Sequence, residues 1–195
     1  MLGISLERFI EISKQLYERS LSLGIPAISY EDGLVLASLA FIYCAANSTV
    51  RAVDAGAGIG YSTIFLAYGM GQRCRGKLIA IENREERFDE LMSNLPLLRE
   101  IAGDGIEIEI KYGDALEYLK GIEDGSLDLT FVDIEKGSYP QALRLLRKKL
   151  RKGGIAIFHN AISPKPPKEF FEIADREYIS TIIPSWAGIL LAYNL

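Results

Sequence analysis

Val53-Asp54-Ala55-Gly56-Ala57-Gly58-Ile59-Gly60-Tyr61-Ser62 is the stretch whose reading decides the fold. An apolar strand, carrying Val50, Ala52 and Val53, ends on an acid. Three alternate glycines follow, and a helical run with Ile64, Phe65, Leu66 and Tyr68 then begins. Glycines let the backbone turn tightly and approach a ligand with no side chain in the way. The turn delivers that ligand to a helix N-terminus, whose first N–H groups have no partner within the helix. A dinucleotide fingerprint asks for G-x-G-x-x-G. Here the third glycine falls one residue early and position 61 is Tyr, so a nicotinamide dehydrogenase is a poor match. An ordinary strand-to-helix turn is the plain alternative.

Outward from this turn the chain alternates. The expected strands are 50–54, Lys77–Ile81, Ile106–Lys111, Leu127–Val132 and Ile155–Phe158. Helices are expected at 61–70, 84–99, 115–120, 139–151 and 167–176. Continuous apolar strands alternating with helices imply a parallel sheet covered on both faces. Tyr178–Ile183 and Gly188–Tyr193 are separated by four residues, too few for a helical crossover, so these last two strands run antiparallel to each other. Upstream, 5–22 is an amphipathic helix with Leu6, Phe9, Ile10, Leu16 and Tyr17 at helical spacing, broken by Gly24 and Pro26. Residues 34–46 are nearly all apolar, too short to span a bilayer, and read as a buried helix. Residues 1–195 are expected to form one α/β domain of Rossmann-like fold. Its seven-stranded sheet is mostly parallel with the last strand antiparallel, has helices on both faces, and carries the helices of 1–47 packed on its core.

Composition bounds the function. A chain of 195 residues with 49% hydrophobic and 25% charged residues is that of a soluble globular protein with a substantial core. A net charge of -4 argues against a general nucleic-acid binder. The N-terminus lacks a secretory pattern and the chain reads as cytoplasmic, without a membrane partner. Low Gln and many aliphatics hint at a thermophile. Cys44 and Cys74 lack metal-ligand spacing and suggest no disulfide framework, Cys44 being a small core residue.

Each of the first five strands ends on a potential ligand: Asp54, Glu82, Gly113-Asp114, Asp133 and His159-Asn160. Ligands of open α/β sheets bind beyond the strand C-termini, so these residues would share one crevice. The pattern acid-x-Gly-x-Gly-x-Gly resembles motif I of S-adenosylmethionine (SAM) methyltransferases. With that ligand, Glu82 can accept the ribose hydroxyls, or be a solvated acid before the Glu85-Glu86-Arg87 helix start. Asp114 can accept from the adenine amino group or cap the short helix. Asp54 can receive the methionine ammonium.

Residues 127–160 make the resemblance more specific. Asp133-Ile-Glu-Lys136-Gly-Ser-Tyr139 matches the D-x-x-K-x-x-Y motif of the cation-dependent O-methyltransferases of the catechol and caffeoyl-CoA type, and a Gly-Gly turn precedes His159-Asn160. The likeness runs from about Ile28 to the last strand. It implies a SAM site lined by Ile28, Asp54, Gly56, Gly58 and Gly60, continued by Ser62, Glu82, Asp114, Ala115 and Asp133. It also implies catalysis by Lys136, as base on the acceptor hydroxyl, with Asp133, and a metal at Asp133 and Asn160. The family's first ligand after strand five is Asp, whereas here it is His159, the only histidine. That exchange removes one negative charge and favours transition metals over Mg²⁺, or else no metal binds and His159 is a base or a satisfied polar residue. The segment after strand five is shorter than in the family, which puts the family's usual substrates in doubt.

The expected reaction is SAM-dependent O-methyl transfer to a hydroxyl of a small molecule. Metal-independent methylation of RNA and SAM binding without catalysis are the alternatives. Trp186, in the last turn, either stacks on a planar acceptor or is a plain hydrophobic anchor. The basic run Arg144–Lys152 is either a solvated helix face or an RNA footprint. Relatives of this family are commonly homodimers.

Overall fold

The computed structural model describes residues 4–195. Seven strands form one sheet: β1 (Thr49–Ala55), β2 (Arg75–Glu82), β3 (Ile106–Tyr112), β4 (Leu127–Val132), β5 (Leu150–Phe158), β6 (Ile179–Ile183) and β7 (Ile189–Tyr193). Their order is β3-β2-β1-β4-β5-β7-β6. The first five are mutually parallel, and β7 runs antiparallel to both of its neighbours, so β6 points with the first five. The expected sheet is borne out.

Side chains alternate between its faces, as the two-residue strand repeat requires. Ala52, Leu78, Ala80, Leu129, Phe131 and Ile157 pack under α1 (Leu6–Ser22), α2 (Tyr30–Ala46), α3 (Tyr61–Gly71) and α5 (Leu95–Ala102). Val53, Ile79, Ile81, Val132, Ala156 and Phe158 pack under α6 (Ala115–Gly121), α7 (Tyr139–Lys149) and α8 (Lys168–Glu177). Edge strand β3 alternates Ile106, Ile108 and Ile110 with Glu107, Glu109 and Lys111, charges that discourage edge-to-edge pairing.

The differences from expectation are local. The helix expected at 84–99 is two, α4 (Glu85–Ser93) and α5, because Pro96 lacks an N–H and belongs in a helix's first turn. Strand β5 begins at Leu150, five residues early, through a register shift opposite Leu127–Leu129. Helix α2 begins at Tyr30, four residues before the expected start, where Ser29 accepts from the Asp32 N–H at 3.0 Å as a cap. The expectation of a helix buried all round holds on one side only: Leu36, Ala37, Ala40 and Tyr43 are buried while Leu34 and Ile42 (65% exposed) face outward. On its inner side α2 meets α3 closely, since a Cβ on Gly33 would lie 2.5 Å from the Phe65 ring and one on Gly69 would lie 2.2 Å from the Ala37 carbonyl.

The reading of Cys44 as a core residue holds, and the reading that the cysteines are not paired is overturned. Cys44 and Cys74 are joined by a disulfide, their Cα atoms 5.1 Å apart. The end of α2 and the approach to β2 become neighbours only through the packing of α3 between them, which spacing along the chain does not encode. No helix among the described residues is long and apolar enough to cross a membrane.

Candidate active site

The strand order reverses between β1 and β4, and such a reversal opens a crevice beyond the strand C-termini. Two hollows meet there at Gly56 and Asp133. One, of about 640 Å³, lies over Glu82, Arg84, Asp114 and Ala115. The other, of about 210 Å³, lies between Ile25–Ile28 and Gly58–Ser62. Every residue expected to line the cofactor site borders one of these hollows except Asp54, which is buried beneath them, and Gly60.

Gly56, Gly58 and Gly60 all take positive φ, at 91°, 57° and 99°. A Cβ on Gly56 would lie 2.4 Å from the Asp133 carbonyl oxygen, and one on Gly60 would lie 3.0 Å from Leu91. Those two glycines are required by packing. Gly58 instead has only Ile25 at 4.0 Å, so its missing side chain leaves bare backbone toward the smaller hollow.

Glu82 is 4% exposed and ties this turn to the end of β2. Its Oε2 accepts from the Gly58 N–H at 2.9 Å, and its Oε1 from the Asn83 and Arg84 N–H groups at 3.0 and 2.9 Å. A solvated acid is thereby excluded. A carboxylate offers about four acceptor positions, so capacity for a ligand hydroxyl remains.

Asp54 is fully buried. Its Oδ2 accepts from the Ser62 and Thr63 hydroxyls at 2.8 and 2.6 Å, while its Oδ1 has no partner. Burial pushes its carboxyl up to about 6; the two hydroxyls oppose that rise, and the charges of Asp133 and Glu82 add to it. A buried acceptor left without a donor calls for a missing partner, and here a cationic group would supply it. Asp114 takes its capping role, accepting from the Glu117 N–H at 3.0 Å, and also borders the larger hollow.

The D-x-x-K-x-x-Y motif folds onto itself through a 3₁₀ turn, Lys136–Ser138. Lys136 Nζ donates to Asp133 Oδ1 at 2.5 Å, to the Ile134 carbonyl at 3.1 Å and to the Tyr139 hydroxyl at 3.1 Å. All three ammonium donors are thus engaged. Tyr139, fully buried, donates its hydroxyl hydrogen bond to the Val132 carbonyl at 3.2 Å, and burial raises its phenol well above the ordinary range.

His159 lies between two carboxylates. Its Nε2 is 3.1 Å from Asp32 Oδ2 and its Nδ1 is 3.2 Å from Asp133 Oδ2, the second an ion-pair contact without hydrogen-bond alignment. Burial lowers the imidazole, and the two carboxylates outweigh it to raise it above 6.5. Burial likewise opposes ionisation of Asp133, but His159 and Lys136 hold it below the usual carboxylate range. Asn160 adopts φ 56° and its amide donates to the Ser163 carbonyl at 2.7 Å.

These residues do not fit a divalent cation as the family arrangement requires. One oxygen of Asp133 is taken by Lys136, the other faces the His159 ring, and the Asn160 side chain is oriented by the bond its Nδ2 donates to Ser163. No cluster of three His, Cys, Asp or Glu side chains suited to a metal occurs among the described residues. Asp32 is the site residue that sequence reasoning missed. The available signal was the second of two adjacent acids, Glu31 and Asp32, three residues after a capping Ser at the head of an apolar helix.

Trp186 is 85% exposed and lines neither hollow. Its turn is nonetheless joined to the site, because Ala161 N–H donates to Gly188 O at 2.9 Å and Ile162 N–H to Ala187 O at 2.8 Å. The basic run is largely consumed within the chain: Arg144 pairs with Glu169, Arg147 with Asn194, Lys149 with Asp124 and Arg151 with Asp128.

Comparison with known proteins agrees with this geometry. The O-methyltransferase from Bacillus cereus, solved in complex with SAH, superposes with a TM-score of 0.77 at 21% identity, over 94% of this chain and 90% of that one. TomG of Streptomyces achromogenes, an O-methyltransferase solved with SAM, gives 0.72 at 22% identity, over 100% and 92%. Identities this low speak for the fold. A caffeoyl-CoA O-methyltransferase of Petunia hybrida is 32% identical over 144 residues, covering 71% of this chain and 55% of that protein. A flavonoid 3',5'-methyltransferase of Vitis vinifera is 28% identical over 142 residues, covering 69% and 55%. The chain thus spans about half the length of these plant enzymes. The family described as "Methyltransferase domain" matches residues 53–161, more than half of the chain and all of the crevice from the end of β1 to the residues after β5, and the protein belongs to that family.

Proposed function

We propose that the protein is a SAM-dependent O-methyltransferase acting on a hydroxyl of a small molecule. The observation that carries the reading is Asp54 Oδ1, buried without a donor directly beneath the glycine turn. A cofactor with an ammonium near that turn completes it, and Glu82 offers acceptor capacity to a ribose on the other side of Gly58. When bound, SAM supplies an electrophilic methyl group. The chain's own contribution is to position the acceptor and to meet the charge that develops on its oxygen, effects of large magnitude on their own.

Asp133 and Lys136 suit that task. Asp133 Oδ2, the oxygen that Lys136 does not hold, accepts the hydrogen bond of the acceptor's hydroxyl and takes its proton as the oxygen is methylated. The Lys136 ammonium, whose donors go to Asp133, Ile134 and Tyr139, acts through its charge and stabilises the oxygen as it becomes anionic. In this reading Lys136 serves as a cation and not as the base, supported by the three acceptors around its Nζ.

The small-molecule reading is favoured over RNA because most of the basic run is engaged within the chain: on α7, Arg144 pairs with Glu169, Lys149 with Asp124, and Arg147 donates to Asn194, while on β5 Arg151 pairs with Asp128. The plant relatives carry names that refer to small phenolic acceptors. Transfer of a labelled methyl group from SAM to a panel of phenols and catechols tests the proposal. We expect product with wild type and a loss of about 100-fold or more with Lys136→Met, the scale of removing one charge-stabilising group. Transfer to tRNA, with none to any phenol, would contradict it.

A further inference from the structure

We propose that this protein needs no divalent cation, because the His159 ring, held from behind by Asp32, fills the place that a metal takes in the family the sequence resembles. The inference rests on the crevice being a methyl-transfer site, and it is carried by three placements. The ring spans carboxylates from two different elements, Asp32 in the first turn of α2 and Asp133 after β4, at 3.1 and 3.2 Å. The oxygen of Asp133 turned away from the ring already receives Lys136 at 2.5 Å. The Asn160 Nδ2 donates to the carbonyl of Ser163, three residues on in the turn that Ala187 and Gly188 anchor, which fixes the direction of the side chain.

The charge count follows the same logic. A site of two carboxylates and a dication has been exchanged for one carboxylate facing a ring and a lysine, both supplied by the chain. A further carboxylate stands nearby. It sits behind the ring as Asp32, 1% exposed, where it reaches the ring nitrogen and not the hollows. A buried carboxylate is tolerated only with a partner, and His159 is the partner that Asp32 has. Asp32 touches His159 and is therefore a positioning residue. It fixes the ring's orientation much as a carboxylate behind a ligating histidine does, here with the ring's other nitrogen turned to Asp133.

The test needs neither SAM nor an acceptor, so its outcome is separable from that of the methyltransferase reading. His159 is the only histidine of the chain, and its ring signals are assigned by that fact alone. Manganese is the probe: a paramagnetic ion at this site broadens the ring resonances, and calorimetry reads the binding independently. We expect wild-type signals to stay sharp with excess Mn²⁺ and calorimetry to show no uptake. His159→Asp should bind Mn²⁺ at least about tenfold more tightly than wild type, the scale on which ligand-sphere changes act. Stoichiometric broadening in wild type, abolished by Asp133→Asn, would overturn the proposal whether or not His159→Asp folds. A folded His159→Asp that takes up no Mn²⁺ would overturn the claim that the ring keeps the cation out. For Asp32, the hydrogen-bonded Nε2 proton should disappear from the spectrum in Asp32→Ala and return in Asp32→Asn, which can accept the same bond. An unchanged proton in Asp32→Ala would show that Asp32 does not hold the ring.

Discussion

Asp54 sets stability against binding within a single side chain. Its folded pKa, about 6, lies above the ordinary value of 3.8, so the ligand-free fold binds its proton more tightly than the unfolded chain does. The group's contribution is therefore fully present below about pH 3.8 and is lost as pH rises through about 6, an effect on the order of 2–3 kcal/mol. Asp54→Asn should make the ligand-free protein more stable than wild type at pH 8 and no more stable at pH 4, read by urea unfolding at both values. Its affinity for SAM should fall, and wild-type affinity should itself weaken as pH drops below about 6, where Asp54 becomes neutral. Glu82 behaves differently because it holds three backbone N–H groups. Glu82→Gln turns an NH₂ toward donors that need an acceptor, so it should lower both stability and SAM affinity by about 1–3 kcal/mol each. A Glu82→Gln protein of wild-type stability would show that these bonds are dispensable. The acids of the crevice were legible because each ends an apolar strand. Their free and occupied oxygens were not, because hydroxyls from Ser62 and Thr63 and amides from Gly58 arrive through the turn's three-dimensional path.

At the scale of elements, strands read well and helix ends read less well. A run such as Leu127–Val132, buried throughout, has one plausible conformation and one place in a sheet. The split at Asn94 and the start of α2 at Tyr30 depended on Pro96 and on the Ser29 cap, short-range signals overshadowed by a continuous periodic pattern. The missed start of α2 concealed Asp32, and with it the second partner of His159. The disulfide is the other element-scale consequence of packing. It joins the end of α2 to the approach to β2 across 30 residues, a loop whose closure in the unfolded chain is worth about 2–4 kcal/mol. Reductant should lower the urea midpoint of wild type and leave that of the Cys44→Ala/Cys74→Ala double variant unmoved. Equal midpoints with and without reductant in wild type would show that the link carries no stability.

Over the whole molecule, the sheet order, the direction of β7 and the division of helices between two faces follow from alternation, loop length and the handedness of parallel crossovers. That architecture brings the ends of β1, β2, β3, β4 and β5 to one edge, and so makes a site of residues scattered from Ile28 to Asn160. Net charge says little at this scale. The cationic stretch of α7 looked like a surface feature in sequence, yet its partners come from α8, the segment after α6 and the C-terminal end of the chain. The central claim is that the crevice over the glycine turn is a SAM site closed by Asp54 and Glu82. Isothermal titration of the wild-type protein with SAM, its demethylated product and NAD at pH 7.5 tests it most directly. We expect saturable one-to-one binding of the first two and no heat from NAD; binding of NAD with silence toward SAM would contradict the account.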